Sequence, residues 1–203
     1  MANKILFLGP LVLAGWMLAA CSSTTLTSSW KDESHAGQPL DKVFVVGATD
    51  PERNRRILED EFVRQLQSRA VEGVSSYRLL PTEAMLSKQG VESKIRGKDF
   101  DAVLVVSLLN RRTEVVQHAG RIETDRAGGW HGRYSRRHEA TYTPPTTTEF
   151  QVAVLECDVY DTASEKLIWT GTFETEIHGS VNQAVESFVS NVIKSLASEK
   201  LIP

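Results

Sequence analysis

Three short apolar runs alternate with two helical segments in the first half of this sequence, and this order restricts the possible folds more than any other feature. The runs are Lys42–Gly47, Tyr77–Leu80 and Phe100–Leu109. Apolar runs of this length are typical of strands buried on both faces of a sheet. Strands separated by helices pair in parallel with right-handed crossovers, so the sequence predicts an α/β fold.

The first helix is predicted to begin with Asp50 as its N-cap and Pro51 at its first helical position. It is expected to end at Gly73, and a second helix is expected to open at 81–83 and to be weakened by Gly90. Residues at i, i+4 spacing form the apolar face of the first helix: Leu58, Phe62, Leu66 and Ala70. Charged residues are expected to cover much of its remaining surface: Arg53, Arg55, Arg56, Glu59 and Arg64.

The second half of the chain predicts an antiparallel hairpin followed by a helix. Residues 148–160 alternate in polarity, 161–164 form a turn, and 166–176 form the return strand. Four alternating residues are expected to face the core: Ala153, Leu155, Cys157 and Val159. Four others lie on the opposite face, whose covering is left open: Phe150, Val152, Val154 and Tyr160.

A capping box of Ser180 and Gln183 is expected to start the last helix. Its apolar stripe consists of Val181, Val185, Phe188, Val192 and Leu196. Residues 41–203 are therefore predicted to form a single α/β domain. Its mixed sheet has about five strands, a parallel βαβαβ half followed by an antiparallel hairpin, and packs against about three helices.

The N-terminus resembles an export signal. Residues 5–20 carry no charge, yet this run is shorter than the ~20 residues of a spanning helix and is interrupted by Gly9 and Pro10. Residues 18–21, with the sequence Leu-Ala-Ala-Cys, resemble the lipobox of bacterial lipoproteins. The alternative is an ordinary cleaved signal with an incidental cysteine.

The lipobox resemblance implies removal of residues 1–20 as the signal peptide. Cys21 would then carry a diacylglyceride and an amino-linked acyl group such as palmitate, followed by a flexible tether that ends at residue 40. Ser22 stands where such lipoproteins have Asp when they stay at the inner membrane, which favours the outer membrane with the domain in the periplasm. Cys157 would have no disulfide partner and is expected to be a buried thiol.

An insertion at 111–145 differs in composition from the rest of the chain. Residues 111–138 hold seven Arg and three acidic residues, a net +4, while the rest of the chain after residue 20 carries −8. Arginine forks bind carboxylates or phosphates, and aromatic rings stack on sugars or peptides. The candidate interaction residues are Arg121, Arg126, Trp130, His131, Arg133, Tyr134, Arg136, Arg137, His138 and Tyr142.

Several interpretations of this insertion remain open. It is either a surface loop or the extended arms of a long hairpin without a partner, or else it binds an envelope protein, peptidoglycan or lipid. Nucleic acid is excluded if the chain is exported. The spacing of His131 and His138, without cysteine or a fixed carboxylate, does not predict a metal site.

Catalytic motifs are missing from the sequence. It contains no G-x-S-x-G, H-E-x-x-H, P-loop or G-x-G-x-x-G pattern, and no cofactor is predicted. Residues 47–50 follow the first strand where a phosphate could sit, but Asp50 would repel an anion there. The sequence therefore predicts a protein that is not an enzyme.

Three segments resemble a group of small uncharacterised Gram-negative outer-membrane lipoproteins: Thr27–Lys31, Lys42–Gly47 and Tyr160–Thr172. The architecture is also similar to the amino-terminal domain of the Tol-Pal translocation protein and to the curli-secretion lipoprotein. In those folds a small α/β unit acts through protein–protein contacts. The resemblance implies a fold and a compartment, but no activity and no site residues.

These observations predict a non-enzymatic outer-membrane lipoprotein that binds a protein or other envelope component on the periplasmic side. Two alternatives remain. The first is an envelope hydrolase or ligand-transfer domain with a cleft at the strand ends, near Thr49, Asn110 and His118. The second is a purely structural envelope component. The oligomeric state is not indicated by the sequence.

Overall fold

A computed structural model describes residues 23–35, 39–80, 90, 95, 97–123 and 141–203. The strands within these residues are β1 Thr24–Lys31, β2 Lys42–Ala48, β3 Glu72–Ser75, β4 Ala102–His118, β5 Arg121–Glu123, β6 Thr141–Thr143, β7 Thr146–Asp161 and β8 Leu167–Ile177. Two α-helices are described from end to end, α1 Glu52–Gln67 and α2 Val181–Ser198, and Ser76–Arg78 forms a 3₁₀ turn. Neither α1 nor α2 is long and apolar enough to cross a bilayer.

Six strands form one mixed sheet in the order β1-β8-β7-β4-β2-β3, and β5 pairs with β6 separately. Strand β2 is parallel to both β3 and β4, whereas β4, β7, β8 and β1 pair antiparallel in succession. The predicted α/β class and the parallel half followed by an antiparallel hairpin are confirmed. The sheet has six strands rather than about five, and two of the expected three helices are described in full.

The additional strand is β1, so the expected flexible tether is wrong over Thr24–Lys31. This segment pairs antiparallel with β8 from Thr24 opposite Thr175 to Lys31 opposite Trp169. Its Ser/Thr-rich sequence has no apolar alternation, and β8 supplies the hydrogen-bonding partner that fixes it as an edge strand. Leu40, the last residue of the expected tether, is buried in the core.

The second parallel strand begins earlier than expected. Strand β3 occupies Glu72–Ser75, and the expected strand at Tyr77–Leu80 is wrong because this stretch turns through the 3₁₀ segment. Gly73 does not stop the first helix, which ends at Gln67. Gly73 lies in β3, where an added Cβ would be 2.9 Å from the Cα of Val63, so its lack of a side chain allows α1 to approach the strand.

Helix starts fall close to the expected places, but the expected side-chain caps are wrong. Pro51, not Asp50, occupies the N-cap position of α1. Ser180 is the N-cap of α2 as expected, but neither N-cap residue makes a side-chain capping hydrogen bond. Of the second predicted helix, only the helical residues Gly90 and Ile95 lie within the described residues.

Both described helices pack on one face of the sheet. Phe188 of α2 meets Phe62 of α1 and Phe173 of β8 with edge-on rings at 6.1 and 5.4 Å. The core between them contains Cys157, whose burial raises the pKa of its thiol, with a further contribution from the charge of Asp158. The predicted core position of Cys157 is confirmed. Ala70, expected on the apolar face of the helix, is exposed beyond its end.

The opposite face has its own small apolar cluster of Phe44, Val46, Leu80 and Phe100. Further along the sheet this face becomes charged. Val152 is buried there, and its cross-strand neighbours are Arg112 and Glu176. The face that carries Val152 is therefore bordered by charged side chains of the same chain.

Candidate interaction surface

Strands β4 and β7 are much longer than their neighbours and form a projecting two-stranded arm. They have 17 and 16 residues, whereas the pairing of β4 with β2 ends at Ser107 and that of β7 with β8 ends at Gln151. The main ladder of the arm pairs Asn110–His118 with Thr146–Val154. We define the arm as residues 109–123 and 141–150, in which β5 and β6 continue the hairpin.

The arm begins at a bulge. The register between β4 and β7 shifts at Leu109, which has no cross-strand partner in the ladder. Bulges of this kind bend a strand and increase its twist. The backbone N–H of Arg111 donates to the Asn110 side-chain oxygen at 2.8 Å directly after the shift.

The arm exposes both apolar side chains and strand edges. Tyr142 is 64% exposed, Val115 54% and Leu109 53%, and Val116 is also exposed. Within the described strands, residues 108–118 of β4 pair on one side only, as do residues 146–150 of β7. Unpaired strand edges next to exposed apolar side chains are a typical surface for adding a partner.

An ion pair connects the base of the arm to β8. The guanidinium of Arg112 donates two hydrogen bonds to the Glu174 carboxylate, at 3.2 and 2.7 Å, and a third to Glu114 at 3.0 Å. These bonds raise the pKa of Arg112, and the Arg112 hydrogen bond lowers the pKa of Glu174. Arg112 therefore links β4 at the base of the arm to β8.

An aromatic contact fastens the other strand of the arm. The rings of Phe150 and His178 lie 4.6 Å apart, and His178 is 2.9 Å from a carboxylate oxygen of Glu176. The hydrogen bond from His178 lowers the pKa of Glu176, with a second hydrogen bond from Ser23. Together with Arg112, this contact holds the arm to the end of β8.

Two of the ten predicted interaction residues are described. Arg121 and Tyr142 lie on β5 and β6, which pair with each other, and both side chains are exposed. Arg121 is paired with Thr143 and Tyr142 with Ile122, so the two side chains point to opposite faces of this ribbon. The remaining eight and the expected lipidation site lie outside the described residues: Arg126, Trp130, His131, Arg133, Tyr134, Arg136, Arg137, His138 and Cys21.

A small cavity lies near the base of the arm. Its volume is about 70 Å³, and it opens between the first turns of α1 and α2 and the sheet. Thr49 lines it, as the cleft hypothesis expected, whereas Asn110 and His118 do not. Its walls are mostly apolar, with Leu58, Leu155 and Phe188 among them, and the hydroxyl oxygen of Thr49 is buried without a hydrogen-bond partner.

A buried ion pair stands where the sequence predicted exposed charges on the first helix. Arg55 and Glu59 are 3% and 0% exposed, and the expectation of an outer position is wrong for both. Glu59 accepts hydrogen bonds from the backbone N–H groups of Gly47 and Tyr77 and from the Ser76 hydroxyl. This network connects α1 to the ends of β2 and β3.

No group of three metal-ligating side chains occurs among the described residues. A second cavity of about 310 Å³ at the opposite end of the sheet has His35, Asp101 and Asp161 in its wall. The Asp101 carboxylate accepts from two backbone N–H groups, and that of Asp161 accepts from Ser164. These carboxylates therefore stabilise the loops around the cavity by hydrogen bonds.

Comparison with known proteins gives similarity to solved structures only. No family model and no curated protein matches the chain. The PelC dodecamer from Paraburkholderia phytofirmans is 14% identical over 86% of this chain and 96% of that chain, with a TM-score of 0.47. A single-substitution variant of it is 12% identical over 85% and 96%, with a TM-score of 0.46. A PDZ domain protein from Parabacteroides distasonis is 7% identical over 83% of this chain and 35% of that chain, with a TM-score of 0.34.

Proposed function

We propose that this chain is a non-enzymatic lipoprotein of the outer membrane, anchored through Cys21, which binds a protein or other envelope component on the periplasmic side through its arm. The observation that carries this proposal is the arm itself. Two long strands leave the sheet together and expose their edges along with Val115, Val116 and Tyr142. Exposed strand edges promote aggregation, so a domain with no binding partner would have no use for such a projection.

The sequence before β1 supports the compartment. Residues 18–21 have the lipobox pattern, and Ser22 follows the cysteine. Strand β1 starts at Thr24, so only Ser22 and Ser23 separate the expected lipid from the folded domain. An anchor this short would hold the domain close to the membrane surface.

The binding role of the arm is tested by shortening it. Because His118 pairs with Thr146, replacing residues 119–145 with Asn-Gly would close the hairpin with a two-residue turn and keep the ladder below it. In-cell crosslinking followed by a pull-down should lose partners in this variant. Trp30→Thr is the control, since it removes an exposed aromatic side chain from the edge strand β1, outside the arm.

Identical partners for the wild type and the shortened arm would contradict a binding role for residues 119–145. A normal envelope in the same cells would then favour a purely structural component. The anchor has a separate test, because Cys21→Ser should abolish acyl labelling and release the protein from membranes. Membrane retention of Cys21→Ser would mean that the anchor lies elsewhere.

The cavity near Thr49 favours one further candidate, a ligand-transfer domain. Its mostly apolar wall and volume of about 70 Å³ suit a small apolar group. Ala184 lines the cavity and is buried, so Ala184→Leu should fill part of it. A small molecule that co-purifies with the wild type and is lost from Ala184→Leu would support transfer, and its absence from both proteins would remove this candidate.

A further inference from the structure

We infer that the arm lies against the lipid surface of the membrane that holds Cys21, and that the first envelope component it contacts is the phospholipid headgroup layer. This inference rests on the proposed lipid anchor. It names the partner of the same surface, and it follows from the position of Ser23 relative to the arm.

The start of the described chain is fixed to the end of β8. The backbone N–H of Glu176 donates to the carbonyl oxygen of Ser23 at 2.9 Å, and the hydroxyls of Thr24 and Thr175 lie 3.1 Å apart. Cys21 is two residues before Ser23. A fully extended chain covers at most about 3.6 Å per residue, so Cys21 lies within about 7 Å of Ser23.

Strand directions put this point at the same end of the sheet as the arm. Thr24 pairs with Thr175, Thr175 with Ala153, and Ala153 with Arg111, so these residues form one row across four strands. From this row, β4 continues outward to His118, whereas the pairing of β1 with β8 extends no further than Thr24. The arm therefore projects from the end of the domain that carries the anchor.

The arm projects further beyond this row of residues than Cys21 can. Seven residues separate Arg111 from His118, and at about 3.3 Å per residue the strand extends about 23 Å beyond the row. Cys21 extends at most about 11 Å beyond Thr24, which lies in the same row. With Cys21 acylated in the bilayer and the strands perpendicular to it, the outer part of the arm would therefore enter the headgroup layer.

The side chains of the outer arm suit this position. Val115 and Val116 point to opposite faces of the ribbon, and both are exposed, as is Tyr142. Tyrosine is enriched where a membrane meets water, and arginine donates to phosphate oxygens. Arg121 is exposed on β5, where its charge favours anionic phospholipid.

The inference is tested on the full lipoprotein, reconstituted into vesicles that contain an anionic phospholipid. In Val116→Cys the new thiol is the only one open to labelling, because Cys21 is acylated and Cys157 is buried. A polarity-sensitive fluorophore on it should shift its emission to the blue and lose intensity when lipids carrying a headgroup-level quencher are added. Ala163→Cys is the matched control, since Ala163 is exposed in the turn at the opposite end of β7.

The outcomes separate this inference from the proposed function. Quenching at position 116 but not at 163 supports it. Equal and weak quenching at both positions, in a protein that floats with the vesicles, would overturn the inference and leave the anchor intact. A protein that does not float would overturn both. His118→Cys repeats the measurement further out, so that a folding defect in one variant does not decide the result.

Discussion

The Nε of Arg55 donates a hydrogen bond of 2.9 Å to an oxygen of Glu59, and both side chains are buried where α1 meets the sheet. The same carboxylate accepts from Gly47 at the end of β2 and from Ser76 and Tyr77 after β3. One buried carboxylate thus connects a helix to two parallel strands. Desolvation makes such a pair expensive to form, but its hydrogen bonds make it costly to break.

Glu59→Gln should destabilise the domain strongly, because the Arg55 charge would stay buried without a counter-charge. We expect the free energy of unfolding to fall by about 3–5 kcal/mol, measured by urea denaturation of the unlipidated Cys21→Ser protein. The matched control is Glu52→Gln, which breaks the exposed i, i+4 pair with Arg56 and should cost at most about 1 kcal/mol. Equal losses in the two variants would contradict the structural role of the buried pair.

Gly73→Ala should lower stability without changing helix content. The added Cβ would lie 2.9 Å from the Cα of Val63, and a backbone atom cannot move aside as a side chain can. Overpacking of this kind costs about 1–3 kcal/mol. Urea denaturation gives the loss and circular dichroism the helix content. If Gly73 instead stopped α1, the substitution would lengthen the helix and raise the helical signal.

Apolar patterning was sufficient to predict the interior strands and the last helix. Strands β2 and β4 and the hairpin of β7 and β8 lie close to their expected positions, because each contributes side chains to a core that water must not reach. The face assignment of Cys157 and Val152 follows from strict alternation along β7. These features depend on residues near in sequence, which is why a single chain reveals them.

The missed features depend on distant partners. The Ser/Thr-rich segment Thr24–Lys31 becomes a strand because β8 offers it an edge. Residues 110–118 are mostly polar, so the sequence leaves both a surface loop and the arms of a long hairpin open, and pairing with β7 makes them part of a hairpin. Arg55 and Glu59 are predicted to be surface charges, because the neighbouring sequence does not show that strand ends and a 3₁₀ turn surround them.

Removing β1 should expose the edge of β8 and destabilise the domain, although a flexible tether would be dispensable. Trp169 and Phe173 are core residues of β8 that lie opposite Lys31 and Leu26 of β1. We compare exported, unlipidated proteins whose mature chains begin at Ser23 or at Asp32. The shorter protein should unfold at lower urea and aggregate more. Equal unfolding midpoints would show that β1 contributes nothing to the fold.

Arg112→Gln should raise the pKa of Glu174 towards its ordinary value, because the guanidinium hydrogen bonds that favour the carboxylate are lost. A lowered folded-state pKa contributes stability above the unfolded carboxyl pKa of about 4.3, and this contribution disappears as the pH falls. The variant should therefore lose less stability on acidification. Carboxyl titration by NMR measures the change. Arg64→Gln is the control, since it should raise the pKa of Glu61 and leave Glu174 unchanged.

Cys157 should make stability fall at alkaline pH. Burial raises the pKa of its thiol in the folded protein, whereas an unfolded cysteine loses its proton near pH 8.5. Above that pH the folded state holds one proton more than the unfolded state. The free energy of unfolding should then drop by about 1.4 kcal/mol per pH unit until the folded-state pKa is reached.

The comparison of wild type with Cys157→Ala isolates this effect, because other alkaline groups titrate equally in both proteins. Urea unfolding of the Cys21→Ser background from neutral pH to about pH 10 should show a steeper decline for the protein that keeps Cys157. A thiol reagent at neutral pH should label Cys157 only after denaturant is added, since the side chain is fully buried. Parallel stability curves, or rapid labelling of the folded protein, would mean that the thiol is reached by water.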